Sequence, residues 1–531
     1  MSIKSLAKRI ASPIVSPLLK LLVRRLAESE TVVNNVQLDR AAESQTVVHN
    51  FQLDVLRAAR SLAASGDHRV VLPVDGVKLS QDPIALKIGM FGNIGNKDYN
   101  SVRSMRRCGF DAELMVGDGW FDTFPMSRPF WEDVSIECSS YEEGMALEKD
   151  WQPPSYVKHV AYDVDLQIRY QNRYSAIPEV QERYKQEFGI DLAADRALLL
   201  AQHMGHWPCL ALMKRYDVVQ LSMAQISLGP FCPRPFVVQP VGGDIYISAF
   251  QETVFGLLMR AGFRSAAHVA VCETDYPAYL NRLGTTVPRT FLPLMVDTDI
   301  YVPGSREEVR SHWTQAIGGS RFILNVCRQS WEWKGNDRLI RAFCRFANDA
   351  DDWRLVLQEW GTDIAASKAL IADLGIQSRV LWQPLCSKPL LRERQRAADV
   401  VADQFVMEGY GTSVLESLAA ATPVMMVPAP LDNVTKFIGQ PPPFVGARTE
   451  DEILAALCKL RDDDFRVRRG LESRRWVEKF HGHSVLAPLY HDLFRAAASG
   501  QSSLHDPGNF PIDTPLHRIY GRDNENSSRA A

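Results

Sequence analysis

The chain has 531 residues, 46% of them hydrophobic, and a formal net charge of −3. That length exceeds one core and suggests two or three domains, and the near-neutral balance excludes nucleic-acid binding driven by bulk charge. The nine cysteines are odd in number, widely spaced and without any Cys-x-x-Cys pair, which argues against a disulfide framework or zinc site and for free thiols in a reducing, cytoplasmic setting.

Residues 1–82 read as a basic and helical N-terminal extension. Residues 1–26 carry Lys4, Lys8, Arg9, Lys20, Arg24 and Arg25 and no acid. Pro13, Pro17 and Lys20 interrupt the apolar stretch, so a secretory signal is not expected. Three readings stay open: a basic amphipathic segment lying on the inner face of an anionic membrane, a frayed or partner-packed leader, or a mitochondrial presequence. No apolar run reaches the length of about 18 residues that a membrane span needs.

"AESETVVNNVQLD" (27–39) recurs as "AESQTVVHNFQLD" (42–54), identical at ten of thirteen positions. A shift of 15 gives about 3.75 residues per turn, the period of a right-handed supercoil if sustained. Val32, Val33, Val36, Val47, Val48 and Phe51 would form a sticky face. The expectation is self-association through residues 27–56, with packing on the chain's own domain as the competing reading.

From residue 83 to 300 the pattern is strand, loop, helix, strand, the opening of a parallel sheet. "IALKIGMFG" reads as a buried strand. It runs into the loop Gly92-Asn93-Ile94-Gly95-Asn96, then a helix ending at Gly109. Residues 118–156 are irregular and aromatic, with Trp120, Phe130, Trp131 and Trp151. The charged stretch 165–190 reads as helical, and Asp163 and Asp165 as a solvated face. His203 and His206 read as core or surface histidines, not bases. "FVVQPVGGD" is a strand leading to Asp244, which either contacts a sugar or caps its loop.

A second alternating series fills 301–497. It reads as another doubly wound domain, closed by helices over 451–497. The tail 498–531 is rich in Ser, Asn, Pro and Gly and reads as disordered. The fold class is therefore α/β, with two Rossmann-like domains and a cleft between the carboxyl ends of their strands.

Chemistry concentrates in this second series. After its first strand, "VCRQSWEWKG" offers Arg328 and Lys334, a fork donor and an ammonium suited to clamp a diphosphate. Further on, "EGYGTSVLESLAAATPVMM" sets Glu408 and Glu416 eight residues apart. Gly409 and Gly411 permit a tight turn, and a helix opening at Thr412 or Ser413 presents free N–H groups to an anion. Glu416, one turn inside, suits sugar hydroxyls better than phosphate.

These stretches, with "RVLWQPL" and "FLPLMVDTDIYVP", resemble the retaining GT-B glycosyltransferases of glycosyltransferase family 4. The resemblance is strongest over 320–430 and covers roughly 84–497. It implies that Glu416 binds the nucleotide ribose and Glu408 the donor sugar. Gly411, Thr412 and Ser413 would offer backbone N–H groups, and the Gly92 and Gly95 loop would approach the ligand. It also implies that no metal is needed, so Asp297-Thr298-Asp299 is expected to be structural despite its D-x-D form. One departure stands out: Val241-Gly242-Gly243-Asp244 lacks the histidine many relatives carry. The expected function is transfer of a sugar from a nucleotide sugar to a hydroxyl of a glycan or lipid-linked glycan, with retention, as in polysaccharide biosynthesis. The alternatives are a non-catalytic sugar-nucleotide-binding scaffold subunit and a nucleotide-sugar epimerase.

Overall fold

The computed structural model describes residues 38–64, 86–117, 127–273, 275–304, 306–428 and 440–500. The basic leader, most of the first repeat copy and the tail beyond residue 500 lie outside the described residues.

The first domain holds β1 (Ile88–Phe91), β2 (Ala112–Gly117), β3 (Glu137–Cys138), β4 (Val157–Val160), β5 (Val218–Leu221), β6 (Phe236–Val238), β7 (His268–Val271) and β8 (Arg289–Phe291). All but β3 form one parallel sheet in the order β4-β2-β1-β5-β6-β7-β8. The second domain holds β9 (Arg321–Asn325), β10 (Trp353–Gln358), β11 (Val380–Gln383), β12 (Leu385–Cys386), β13 (Val400–Ala402), β14 (Val424–Met426) and β15 (Val445–Gly446). Its parallel sheet runs β11-β10-β9-β13-β14-β15. Strands such as β1, β5 and β7 are buried at every position, which is why they read as continuous apolar runs and not as alternation. In both sheets the strand order reverses beside the first strand. Each domain thus has a topological switch point at the carboxyl ends of its central strands, β1/β5 and β9/β13.

Several elements depart from the sequence reading. The stretch 165–190 is two helices, Val164–Tyr170 and Ala176–Phe188, because Asn172 takes a left-handed conformation between them. Asp163 is an N-cap that accepts from the Leu166 amide at 2.8 Å, not a solvated acid. "RVLWQPL" breaks at Pro384, which has no N–H to extend the ladder. Beyond it β12 turns to pair antiparallel with β3 of the first domain.

That small sheet is part of a strap between the domains. The Ile136 amide donates to Ser387 Oγ and the Ser387 amide to the Ile136 carbonyl, both at 3.0 Å, and Arg394 bonds Glu137. Phe130, Trp131, Cys138 and Leu385 form an apolar cluster beneath it, with Trp151 at its edge. Phe130, Trp131 and Trp151, of the aromatic stretch, are packing residues of the domain junction.

The closing helix His483–Ser499, grouped by sequence with the second domain, packs on the first. Gln239 donates to the Tyr490 hydroxyl at 2.7 Å, that hydroxyl donates to the Pro293 carbonyl at 3.2 Å, and His491 stacks on Phe110. Leu486, Leu493 and Phe494 are buried in the same core as β1 and β5.

The second repeat copy lies in the helix Leu38–Ala64. Phe51, the one member of the expected sticky face whose side chain is described, is 1% exposed and meets Tyr174 edge-on. Val55, Ala59 and Leu62 follow it into the first domain's core. At Phe51 the chain's own domain is the covering surface, as the competing reading expects. Phe51→Ala is expected to cost about 3 kcal/mol in urea unfolding, the usual loss for a fully buried aromatic side chain.

Candidate active site

The loop after β9 and the loop after β13 meet at the second domain's switch point. Cys327 at the end of β9 bonds Asp403 at the end of β13 and feels the charges of both Lys334 and Arg328. Lys334 closes a short turn, Trp331–Lys334, and donates to Gln404 Oε1. Gln404 in turn donates from Nε2 to the Gly409 carbonyl at 2.8 Å. The ammonium is thus tied through one amide to the glycine turn. Arg328 is partly exposed and has no hydrogen-bond or ion-pair partner among the described residues.

The glycine turn opens the helix Thr412–Ala419. Its N-cap is Gly411, with no side-chain cap, and nothing would lie within 4 Å of a Cβ there. The first amides of the helix, at Thr412 and Ser413, therefore lack intrahelical acceptors and take no side-chain cap. Gly409 has φ +94, and a side chain on it would point at the Glu273 carboxylate, 3.4 Å away. That contact spans the two domains.

The two glutamates do not flank an open groove. Glu416 is 2% exposed, and both of its oxygens accept from Lys388 Nζ at 2.7 Å. Behind this pair lies Glu132 of the first domain, buried and pushed up to about 7 by desolvation, against the opposing pull of Lys388 and Arg103. Glu408 is half exposed and pairs with Arg448. Lys388, Glu132, Gln404 and Glu273 are contacts that sequence spacing does not reveal, since their partners come from distant segments.

In the first domain, Gly92 has φ +111, and a Cβ there would sit 2.3 Å from Ser222 Oγ. Gly92 is thus required by packing against the β5 loop, whereas Gly95, φ +56, borders open space. Asp244 is a loop cap: it accepts from the Val241 amide at 3.0 Å and the Ile245 amide at 2.9 Å and is 2% exposed. These bonds give the loop-capping role that was one of its two expected readings. Burial holds His203 at about 4 and His206 at about 3, so both are neutral at physiological pH. A small cavity of about 30 Å³ lies at the carboxyl edge of this sheet, lined by Phe91, Met115, Val160, Tyr162 and Gln225.

Among the described residues one group has metal-ligand spacing: Asp297, Asp299 and His483, within 4.8 Å of one another. Arg107 lies 3.2 Å from Asp297 and 3.6 Å from Asp299 and already supplies positive charge to both acids. Asp297 also caps the Asp299 and Ile300 amides, which fits a hinge role.

Residues 310–431 match the family model of glycosyl transferases group 1. Over 203 residues the chain is 26% identical to a D-inositol 3-phosphate glycosyltransferase of Thermomonospora curvata, covering 36% of this chain and 47% of that protein. Over 232 residues it is 24% identical to a GDP-mannose-dependent alpha-(1-6)-phosphatidylinositol monomannoside mannosyltransferase of Mycolicibacterium smegmatis, covering 41% and 59%. The chain thus spans about half the length of these curated relatives. Among solved structures it is similar to HepE of Anabaena in complex with UDP and glucose, with TM-score 0.52, 13% identity, and coverage of 77% of this chain and 100% of that one. Sucrose-phosphate synthase of Thermosynechococcus elongatus gives TM-score 0.52 at 14% identity, with coverage of 78% and 100%. The fold is GT-B, and residues 310–431 of the second domain match the model of group 1 glycosyl transferases.

The Lys388–Glu416 pair offers a direct test of the geometry. Lys388→Met leaves a buried carboxylate without its counter-charge and is expected to cost about 3 kcal/mol in urea unfolding. Adding Glu416→Gln should recover most of that loss, because the stranded charge is then gone.

Proposed function

We propose that this protein is a glycosyltransferase that moves a sugar from a nucleoside-diphosphate donor to a hydroxyl acceptor, a glycan or lipid-linked glycan, with retention of configuration. The observation that carries the reading is the meeting of Arg328, Lys334 and an uncapped helix N-terminus at one switch point. Anion recognition needs fixed positive groups with no competing partner. Arg328 has none among the described residues, and the amides opening the helix at Thr412 take no side-chain cap.

In this reading the donor diphosphate rests on the helix end between the two cations. The bond from the anomeric carbon to the diphosphate oxygen breaks while a bond to the acceptor oxygen forms, and the acceptor's proton leaves with the diphosphate. Charge gathers on the departing oxygen, where Arg328, Lys334 and the helix amides stabilise it. Glu416 would exchange Lys388 for the ribose hydroxyls. Lys388, freed from its partner, stays in the site as a third cation. Glu408, on the exposed edge of the turn, would orient the sugar. The strap over 130–138 holds the domains close and limits water at the reacting carbon. The UDP-bound state of HepE and the GDP-mannose dependence of the mycobacterial relative support a nucleotide-sugar donor, while leaving the base open.

The sealed state of Glu416 favours a second reading, a non-catalytic sugar-nucleotide-binding subunit. Thermal-shift screening with UDP, GDP, ADP and dTDP, followed by assay of diphosphate release from the matching nucleotide sugar, separates the two. Transfer predicts a stabilising nucleotide and turnover that falls about 10²–10³-fold in Arg328→Ala, the range typical of losing one charge-stabilising donor. Stabilisation without turnover would support the binding subunit, and no stabilisation by any nucleotide would remove both.

A further inference from the structure

Glu273 leaves the carboxyl end of β7 and reaches the second domain, yet the transfer chemistry above gives it no task. Its two oxygens lie 3.4 and 3.6 Å from where a side chain on Gly409 would begin. It forms no hydrogen bond or ion pair with any described residue. The groups that face it are Asp275 on its own loop, Cys272, Tyr246, Tyr276, and Tyr410 beside the glycine turn. None is a cation. Lys97 acts on Cys272 and Asp244 and is engaged by Asp98 and Gln239.

A carboxylate in such surroundings has no counter-charge, so the protonated form is favoured. Desolvation, aided by the Asp275 charge, pushes Glu273 up to about 8. At neutral pH the group is an acid with one O–H to donate and one carbonyl to accept, and the protein uses neither. It also borders Gly409, in the turn that leads into the helix end, so a sugar whose diphosphate sits on that helix end would lie within its reach. A neutral acid there avoids repelling the diphosphate, and its paired donor and acceptor match a hydroxyl.

We propose that Glu273 reads the transferred sugar, hydrogen-bonding one of its hydroxyls from the first-domain side across the glycine turn. This role rests on the nucleotide-sugar reading above. It makes Glu273 a specificity residue that engages only when the two domains face each other.

The test compares, by calorimetry from pH 6 to 9, affinities for UDP-glucose, GDP-mannose, ADP-glucose and dTDP-glucose with those for the matching nucleoside diphosphates. In the wild type, the affinity gained from the sugar should fall several-fold as pH passes 8. Glu273→Ala should lose about tenfold of that gain at pH 7, the worth of one good hydrogen bond, with bare-nucleotide affinity within about twofold of wild type. Glu273→Gln, a permanent donor and acceptor, should retain most of the gain and show no pH dependence. If the sugar's gain and its pH curve are the same in all three proteins, Glu273 does not read the sugar. If the wild type binds no nucleotide, the site reading fails and this role fails with it.

Folding provides a separate check. An unfolded glutamate ionises near pH 4.3 or so, whereas the folded protein holds this proton to about 8, so Glu273 lowers stability progressively as pH rises through that window. Glu273→Gln should therefore melt above the wild type at pH 8, with the difference closing toward pH 5.

Discussion

A parallel sheet gathers all its strand ends on one edge, and where the strand order reverses, neighbouring loops part and leave a crevice. Everything in the second domain follows from that constraint at β9 and β13. Arg328 and Lys334 follow β9, while the glycine turn and its helix follow β13, so two segments some 80 residues apart in sequence are forced together. Gln404 makes the join specific by holding the Lys334 ammonium and the Gly409 carbonyl at once. The positive groups are thus set before any ligand arrives, which is the condition under which electrostatic stabilisation of a leaving group is largest.

The cleft face of the first domain brings acids instead. Glu132 and Glu273 both lie where burial disfavours their charge, one behind the Lys388–Glu416 pair and one against Gly409. Such groups are costly to desolvate, and proteins retain them mainly where they bind or react. Their positions depend on how the domains are held. Three devices hold them: the β3–β12 pairing with its Trp131 cluster, the Arg107–Asp297–His483 junction, and the closing helix that returns to the first domain.

Much of the fold was legible because buried parallel strands are short apolar runs bounded by Gly, Asn and Asp. β1 and β6 were both found in this way. The misreadings have identifiable causes. Asn172 broke a helix through its own backbone conformation, and Pro384 ended a strand that hydropathy alone would continue. Asp244 left two readings open in sequence, sugar contact or loop cap, and the Val241 and Ile245 amides supply the capping bonds. Phe51 was read as a sticky residue because a periodic apolar face looks the same whether a second copy or the chain's own core covers it.

The sequence alone determined the two-domain α/β class, the glycine turn with its helix start, and the cationic pair. Each is written in contiguous residues whose conformational limits and hydropathy are local properties. Only the tertiary structure decided that Lys388 covers Glu416, that Glu408 turns to Arg448, that the aromatic segment straps the domains, and that Glu273 meets Gly409. These are contacts between segments tens to hundreds of residues apart. They are set by how two sheets and their connecting loops pack, and no local pattern encodes which distant partner a charge will meet.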